Sequence, residues 1–106
     1  MIAEATVVDC AGRTIREINR AIRAGLDAGR PVRVAGPGAR HNIGVALLRE
    51  GTVMVDGSAG YYCGGMNDGA TIEIKGSAGW GVAEGMLSGL VTVEGNAGNG
   101  AAASIM

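Results

Sequence analysis

Gly57-Ser58-Ala59-Gly60 is followed by Gly76-Ser77-Ala78-Gly79 and by Gly95-Asn96-Ala97-Gly98, and the three tetrapeptides lie 19 residues apart. Two β-branched residues precede each tetrapeptide at the same interval: Val53 and Val55, Ile72 and Ile74, Val91 and Val93. Self-similarity at this period is typical of a solenoid, in which one small unit buries its apolar face by stacking on copies of itself. The repeat predicts an all-β solenoid, a parallel β-helix with about 19 residues per coil over residues 31–106.

Small residues mark the places where neighbouring coils must come close together. Glycine lets two backbones approach each other or adopts a positive φ at a corner. The predicted structural repeat comprises Gly57, Ala59, Gly60, Gly65, Gly69, Gly76, Ala78, Gly79, Gly85, Gly89, Gly95, Ala97 and Gly98. Larger side chains recur beside these positions and predict two ladders, a corner ladder of Tyr61 and Trp80 and a core ladder of Met66, Met86 and Ile105.

Residues 1–30 have a different pattern, that of one short strand and one capping helix. The run from Ala5 to Asp9 is β-prone, and the apolar residues that follow share one helical face: Ile15, Ile18, Ile22 and Leu26. Thr14 and Glu17 have the spacing of a capping box. The pattern predicts a helix from about residue 14 to about residue 24 or 28, ended by Gly25 or Gly29.

The other face of this helix is rich in arginine: Arg13, Arg16, Arg20 and Arg23. Such a face is usually solvated, and the alternative is docking to an acidic partner surface. The apolar face must be buried in either case. We expect it to cover the open first coil of the solenoid, so that residues 1–106 form a single domain.

The composition excludes several classes of protein. The net charge of −1 gives no electrostatic reason for binding nucleic acid or an anionic membrane. No apolar run approaches the length of a transmembrane helix, and Met1-Ile2-Ala3-Glu4 does not resemble the start of a signal peptide. We therefore expect a cytoplasmic protein.

Residues that would support catalysis or bind a cofactor or metal are few. His41 is the single histidine, and no Ser, Cys or acidic residue stands at a spacing that would make a triad or a metal site with it. Cys10 and Cys63 are the only cysteines, and we expect both to be reduced and buried. The sequence thus predicts no catalytic, cofactor-binding or metal-binding residue.

Longer stretches of the repeat resemble a known domain. The residues from Gly57 to Gly69 read GSAGYYCGGMNDG, and those from Gly76 to Gly89 read GSAGWGVAEGMLSG. Both resemble the GXGXG domain of glutamate synthase, a right-handed parallel β-helix that occurs also in one subunit of formylmethanofuran dehydrogenase. The resemblance is closest to the stand-alone domain of split glutamate synthase-like enzymes, such as the GXGXG subunit of N-methylglutamate synthase (methylamine-glutamate N-methyltransferase). In these, an Arg-rich helix and a His-Asn-Ile stretch, here His41 to Ile43, precede a Gly-Tyr-Tyr coil.

The resemblance implies a structural role in a glutamate synthase-like complex. In such complexes the domain holds the amidotransferase and FMN synthase modules at a fixed separation. The implied partners are the other subunits, and the implied cofactors, FMN and an Fe–S cluster, belong to the complex and not to this chain. The alternatives are the corresponding scaffold in a formylmethanofuran dehydrogenase and a hexapeptide-type acyltransferase, whose repeat has a different period.

Family members carry more coils than this chain, whose last coil stops at Ile105-Met106. An uncapped solenoid end would expose apolar side chains and a strand edge. We expect either that the chain is truncated or that another polypeptide, such as a second copy in a homo-oligomer, covers the C-terminal coil.

Overall fold

Five strands and one helix make up the part of the chain that the structure describes, residues 4–97. In this computed structural model the elements are, in chain order, β1 (Thr6–Asp9), α1 (Ile15–Asp27), β2 (Val32–Ala35), β3 (Gly51–Asp56), β4 (Asp68–Ile74) and β5 (Ser88–Val93). The strands form one sheet in the order β1-β2-β3-β4-β5, and every neighbouring pair is parallel. The chain therefore returns to the same side of the molecule for each strand.

A row of buried β-branched side chains crosses this sheet. Val32 pairs with Val53, Val53 with Ile72, and Ile72 with Val91. All four side chains are at most 1% exposed, because alternate residues of a strand point to the same face and this face is the interior of the solenoid. The predicted stacking of the β-branched runs as parallel strands is confirmed.

A second line of contacts closes each turn on the side away from the sheet. Ala59 forms a parallel bridge with Ala78, and Ala78 forms one with Ala97. Ala59 and Ala78 are buried in the core. With the sheet, this line makes the fold a parallel β-solenoid of about three turns with one helix.

The turns differ slightly in length. Val53 and Ile72 are 19 residues apart, whereas Val32 and Val53 are 21 apart, so the first turn is longer than the second, as the irregular sequence of this turn predicts. Asp68 pairs with Ser88, 20 residues away, and an irregularity in the pairing of β4 with β5 restores the shorter interval before the core row is reached.

Three segments, residues 42–46, 62–66 and 81–85, form one corner of each turn. In every segment the first, third and fifth residues have a φ between 55° and 76°, and the two residues between them do not. Left-handed and right-handed backbone conformations therefore alternate along the segment. The left-handed positions are Asn42, Gly44 and Ala46, then Tyr62, Gly64 and Met66, then Gly81, Ala83 and Gly85.

This alternation directs successive amides to opposite neighbouring turns. The amide of Tyr62 donates to the carbonyl of Trp80 in the following turn (2.8 Å), and the amide of Gly64 donates to the carbonyl of Ile43 in the preceding turn (2.9 Å). We call these hydrogen bonds between corners the turn ladder. The turn ladder supplies the partners that buried backbone groups require and that strands find in a sheet.

The helix α1 is capped and buried as its sequence predicts. Thr14 Oγ1 accepts a hydrogen bond from the Glu17 amide, and the Glu17 carboxylate accepts one from the Thr14 amide. Gly29 follows the helix with a φ of 74°, so it is the residue that ends α1. Gly25 lies inside α1, where a Cβ would be 2.6 Å from Val32 Cγ2, and its absence lets the helix pack closely on β2.

The helix covers the first turn of the solenoid, as expected, and packs against β1, β2 and β3. The side chain of Asn19 makes the polar part of this contact. Its Oδ1 accepts a hydrogen bond from the Gly44 amide (2.7 Å), and its Nδ2 donates to the Asn42 carbonyl (2.9 Å). Asn19 therefore takes the place of a preceding turn in the turn ladder. No helix in the described part of the chain is long and apolar enough to cross a membrane.

The predicted core ladder of methionines is wrong. Met66 is 62% exposed, and its amide donates to the Glu84 carbonyl (2.7 Å), so Gly85 and not Met86 occupies the corresponding position. Met86 is half-buried against the core. The error arises because the turn ladder and the start of the next strand follow different intervals. Ile105 lies outside the described residues.

Candidate interaction surface

A serine hydroxyl from one turn covers the first glycine of the next tetrapeptide. Ser58 Oγ accepts a hydrogen bond from the Ser77 amide, and Ser77 Oγ accepts one from the Asn96 amide, both at 3.0 Å. A Cβ on Gly76 would lie 2.5 Å from Ser58 Oγ and 2.6 Å from a backbone carbonyl carbon of the preceding turn, and Gly95 has a matching environment beneath Ser77. These glycines leave the space that the hydroxyl and the backbone occupy.

Aromatic rings cover the last glycine of the tetrapeptide in the same way. A Cβ on Gly60 would overlap His41 Nδ1, and a Cβ on Gly79 would lie 2.7 Å from Tyr61 Cδ1. The rings of His41 and Tyr61 are stacked, with centroids 4.5 Å apart and planes inclined by 22°. Trp80 occupies the corresponding position in the following turn, as the hydrogen bonds of the turn ladder show. We call His41, Tyr61 and Trp80 the aromatic row.

The aromatic row is held against the backbone and is nevertheless open to solvent. Tyr61 is 51% exposed and Trp80 is 62% exposed, and the neighbouring Tyr62 is also exposed. Tyr and Trp are enriched in protein interfaces because they combine a large apolar surface with a polar group. The aromatic row is therefore the candidate interaction surface.

The other glycines of the predicted repeat lie where each corner leads back into a strand. Gly69, Gly85 and Gly89 have φ values of 110°, 69° and 100°. Gly65 has no positive φ and is buried. Gly98 lies outside the described residues. The repeat positions thus lie along the turn side of the solenoid, but they do not form one cluster.

His41 is engaged in contacts between turns. Its Nδ1 accepts a hydrogen bond from the Tyr61 amide (2.8 Å). A ring nitrogen that accepts a hydrogen bond carries no proton, so the neutral imidazole has its proton on Nε2. Within residues 4–97 there is no group of three or more His, Cys, Asp or Glu side chains that could hold a metal ion.

Both cysteines are buried, as expected, and neither is in a disulfide. Burial raises the pKa of the Cys63 thiol to about 12. Burial also raises the pKa of Cys10, although the nearby charge of Arg40 opposes the shift. Because the thiolate is the form that reacts and binds metals, both side chains are inert thiols near neutral pH. An Fe–S cluster takes about four thiolates, so two buried thiols do not fit one.

Two polar side chains organise the turns, and the sequence does not single them out. Asn67 is fully buried, its Oδ1 accepts from the Ala70 amide (3.2 Å), and its Nδ2 donates to the carbonyls of Ala70 (2.7 Å) and Ser88 (3.3 Å). The run Asn67-Asp68-Gly69 predicts a turn, but no local signal indicates that this amide is buried.

Arg40 is the second of these side chains. Its guanidinium donates to the carbonyls of Gly36 and Pro37 (both 3.2 Å) and of Cys10 (2.9 Å), and it thereby ties the first turn to the end of β1. The ring of Pro37 in turn lies 3.0 Å from where a Cβ on Gly57 would be. Arginine in a solenoid corner predicts only a solvated charge, so the sequence carries no signal for this role.

Comparison with known proteins identifies a relative. No family model matches the chain, and no solved structure matches it. Protein GlxC from Rhizobium meliloti (strain 1021) is 44% identical over 83 residues, which cover 76% of this chain and 36% of that protein. The chain thus spans 36% of the length of the curated relative it matches, and it is similar to Protein GlxC over most of its own length.

Proposed function

We propose that this chain is a non-catalytic structural module of a glutamate synthase-like complex, in which it holds an amidotransferase module and an FMN synthase module at a fixed separation. The observation that carries the proposal is the turn ladder. Parallel strands join neighbouring turns on one side, and corner amides join them on the other. A solenoid linked along both sides resists bending, and this is the property that a spacer between two modules requires.

The resemblance to the GXGXG domain supports this assignment. The three left-handed positions of the last described corner carry Gly81, Ala83 and Gly85, which is the spacing that gives the GXGXG domain its name. Glycine is favoured at such positions because it adopts a positive φ without steric cost. We accordingly propose that the solenoid is the right-handed β-helix with about 19 residues per coil that this resemblance implies.

The similarity to Protein GlxC supports a modular role. In that protein the matched residues are 36% of a longer chain, so this repeat is used there together with other residues. The partners in our proposal are the other subunits of the complex, which supply FMN and the Fe–S cluster. A cytoplasmic location and a homo-oligomer formed through the C-terminal coil belong to the same proposal.

The aromatic row is the surface through which we propose that the partner subunits bind. Trp80 is the only tryptophan of the chain and is 62% exposed, so it can report directly on this contact. Burial of Trp80 in an interface would shift its fluorescence emission to shorter wavelength.

The experiment that tests the proposal isolates the native assembly through an affinity tag on this chain. We expect the isolated assembly to contain FMN and iron and to form glutamate or an N-alkyl glutamate from a glutamine or glutamate donor. A variant that lacks residues 57–75, one turn of the solenoid, should keep the separate half-reactions and lose transfer between them. The control is Thr92→Val, a change to an exposed side chain of β5.

Two results would contradict the proposal. The first is turnover of glutamine, or binding of FMN, by this chain purified alone. The second is loss of the chemistry of an intact assembly on His41→Ala, because that loss would make His41 a catalytic residue.

A further inference from the structure

A groove lies at the N-terminal end of the solenoid, between β1 and α1. Within residues 4–97, β1 is the first strand of the sheet, and no strand pairs with its outer edge. The groove has a volume of about 490 Å³, and its helical wall is formed by small side chains, among them Ala21, Ala24 and Ala28. Val7 lines the opposite wall.

The backbone of β1 presents hydrogen-bonding groups on the side away from β2. The amides of Thr6 and Cys10 donate to the carbonyls of Pro31 (2.8 Å) and Ala35 (3.0 Å) at the two ends of β2. Because successive residues of a strand point their backbone groups to opposite neighbours, the N–H and C=O of Val7 point away from β2. An unpaired strand edge of this kind is a template for another extended segment.

Arginines surround the groove. Arg13 and Arg30 line it, and Arg20 lines an adjoining groove along the same helix. All three are exposed, and within the described residues none of them forms an ion pair. Residues 1–50 contain eight arginines and five acidic residues, whereas residues 51–106 contain one lysine and five acidic residues. Positive charge is therefore concentrated at the end of the molecule where the strand edge is open.

We propose that this groove binds an extended acidic segment of a partner protein, which adds to the sheet as a strand beside β1. Backbone hydrogen bonds at Val7 hold the segment, the alanines of α1 leave room for its side chains, and Arg13 and Arg30 select carboxylates. The same face of a second copy is a poor occupant, because two sets of arginines would then be brought together.

The first test removes the outward amide without disturbing the sheet. Proline is tolerated in an edge strand where its missing N–H points away from the neighbouring strand, so Val7→Pro should fold. Val7→Thr is the matched control, because it keeps the amide and the β-branched shape. Circular dichroism and the thermal unfolding midpoint establish that both variants are folded.

The probe is a synthetic peptide of about eight residues in which Glu and Val alternate, a length that exceeds β1 on both sides. Its partner peptide has Lys in place of Glu. Titration calorimetry of the full chain should show that the Glu peptide binds at least about tenfold more tightly than the Lys peptide. Val7→Pro should weaken binding of the Glu peptide about tenfold, whereas Val7→Thr should leave it unchanged.

Reversing the charges tests the arginines separately. The double change Arg13→Glu and Arg30→Glu should invert the preference, so that the Lys peptide binds more tightly. Equal binding of the Glu peptide to the Val7→Pro and Val7→Thr variants would overturn strand addition, and binding of neither peptide would overturn the site. Slow hydrogen exchange of the Val7 amide in the protein without peptide would also overturn it, since the edge would already be occupied.

Discussion

The strand side and the turn side of this solenoid use hydrogen bonds of the same length but respond differently to side chains. On the strand side, the residues of β3, β4 and β5 alternate between the core and solvent, and only the inward positions are restricted in size. On the turn side, Gly76 and Gly79 face atoms of the preceding turn at distances that leave no room for a Cβ. The glycine repeat therefore records close approach between turns, and the β-branched repeat records burial.

The cost of the turn side is visible in its residues with positive φ. Tyr62 and Met66 have φ values of 59° and 55°, a conformation that costs about 1–2 kcal/mol for a residue with a side chain. Their amides donate to the carbonyls of Trp80 and Glu84, and these hydrogen bonds offset that cost. The comparison predicts that equal chemical changes will have unequal effects on the two sides.

The largest effect is expected for Gly76→Ala. The added methyl would overlap Ser58 Oγ and backbone atoms that cannot rotate away, so we expect a loss of at least about 3 kcal/mol in the free energy of unfolding. Urea denaturation measures this loss. Gly12→Ala is the control, because Gly12 has a φ of 71° but no atom within 4 Å of a Cβ, and it should cost only about 1 kcal/mol.

A smaller effect that can be reversed is expected for Gly79→Ala. Its methyl would meet Tyr61 Cδ1 at 2.7 Å and backbone atoms only at 3.1 Å, so we expect a cost of about 2 kcal/mol. Adding Tyr61→Ser removes the ring and should recover about half of that cost in a double-mutant cycle. Strictly additive effects of the two changes would show that the ring of Tyr61 does not impose the glycine.

Asn19→Ala tests the end of the turn ladder. The change leaves the Gly44 amide and the Asn42 carbonyl without their partner, so we expect a loss of about 2 kcal/mol. Asn19→Asp keeps the acceptor for Gly44 and loses only the donor, so it should cost less. Thermal unfolding of the two variants and the parent chain gives the comparison, and equal stability of all three would contradict the role of Asn19 as a cap.

The buried thiol on the turn side makes stability depend on pH. The pKa of Cys63 is raised to about 12 in the folded chain from an ordinary value of 9.0, so the unfolded chain loses this proton first as the pH rises. The stabilisation is complete below pH 9.0 and is lost as the pH rises toward about 12, at about 1.4 kcal/mol per pH unit. Cys63→Ala should flatten the fall in stability measured between pH 9.0 and pH 10.

The smallest effect is expected on the outer face of the strand side. Lys75 and Glu94 form an ion pair at 3.2 Å, and both side chains are about half exposed. Exposed pairs of this kind contribute little, because water and salt screen them. Lys75→Gln should leave the midpoint of urea denaturation unchanged within error. A clear loss of stability would show that the strand side is as sensitive to its outer residues as the turn side is to its glycines.

Much of the architecture can be predicted from local pattern. The core row of Val53, Ile72 and Val91 follows from a period that each strand shows by itself, and the capped start of α1 follows from Thr14 and Glu17. The placement of Met66 could not be predicted in this way. Its exposure depends on an offset between the turn ladder and β5, which is a property of two turns together.

The candidate surface divides in the same manner. The repeat of Tyr61 and Trp80 is visible in the sequence, but the packing of the Tyr61 ring over Gly79 is visible only in the structure. The roles of Asn67 and Arg40 were missed because an asparagine or arginine in a glycine-rich stretch is usually a turn residue or a solvated charge.

The sequence by itself determined the solenoid, its parallel strands, the helix and the burial of both cysteines. These features depend on spacing, and spacing is a property of the chain that survives unfolding. Only the tertiary structure decided that Asn19 completes the turn ladder, that Ser58 covers Gly76, and that β1 and α1 leave a basic groove. Each of these is a contact between residues from different turns, where the fit between surfaces rather than the pattern along the chain decides which atoms meet.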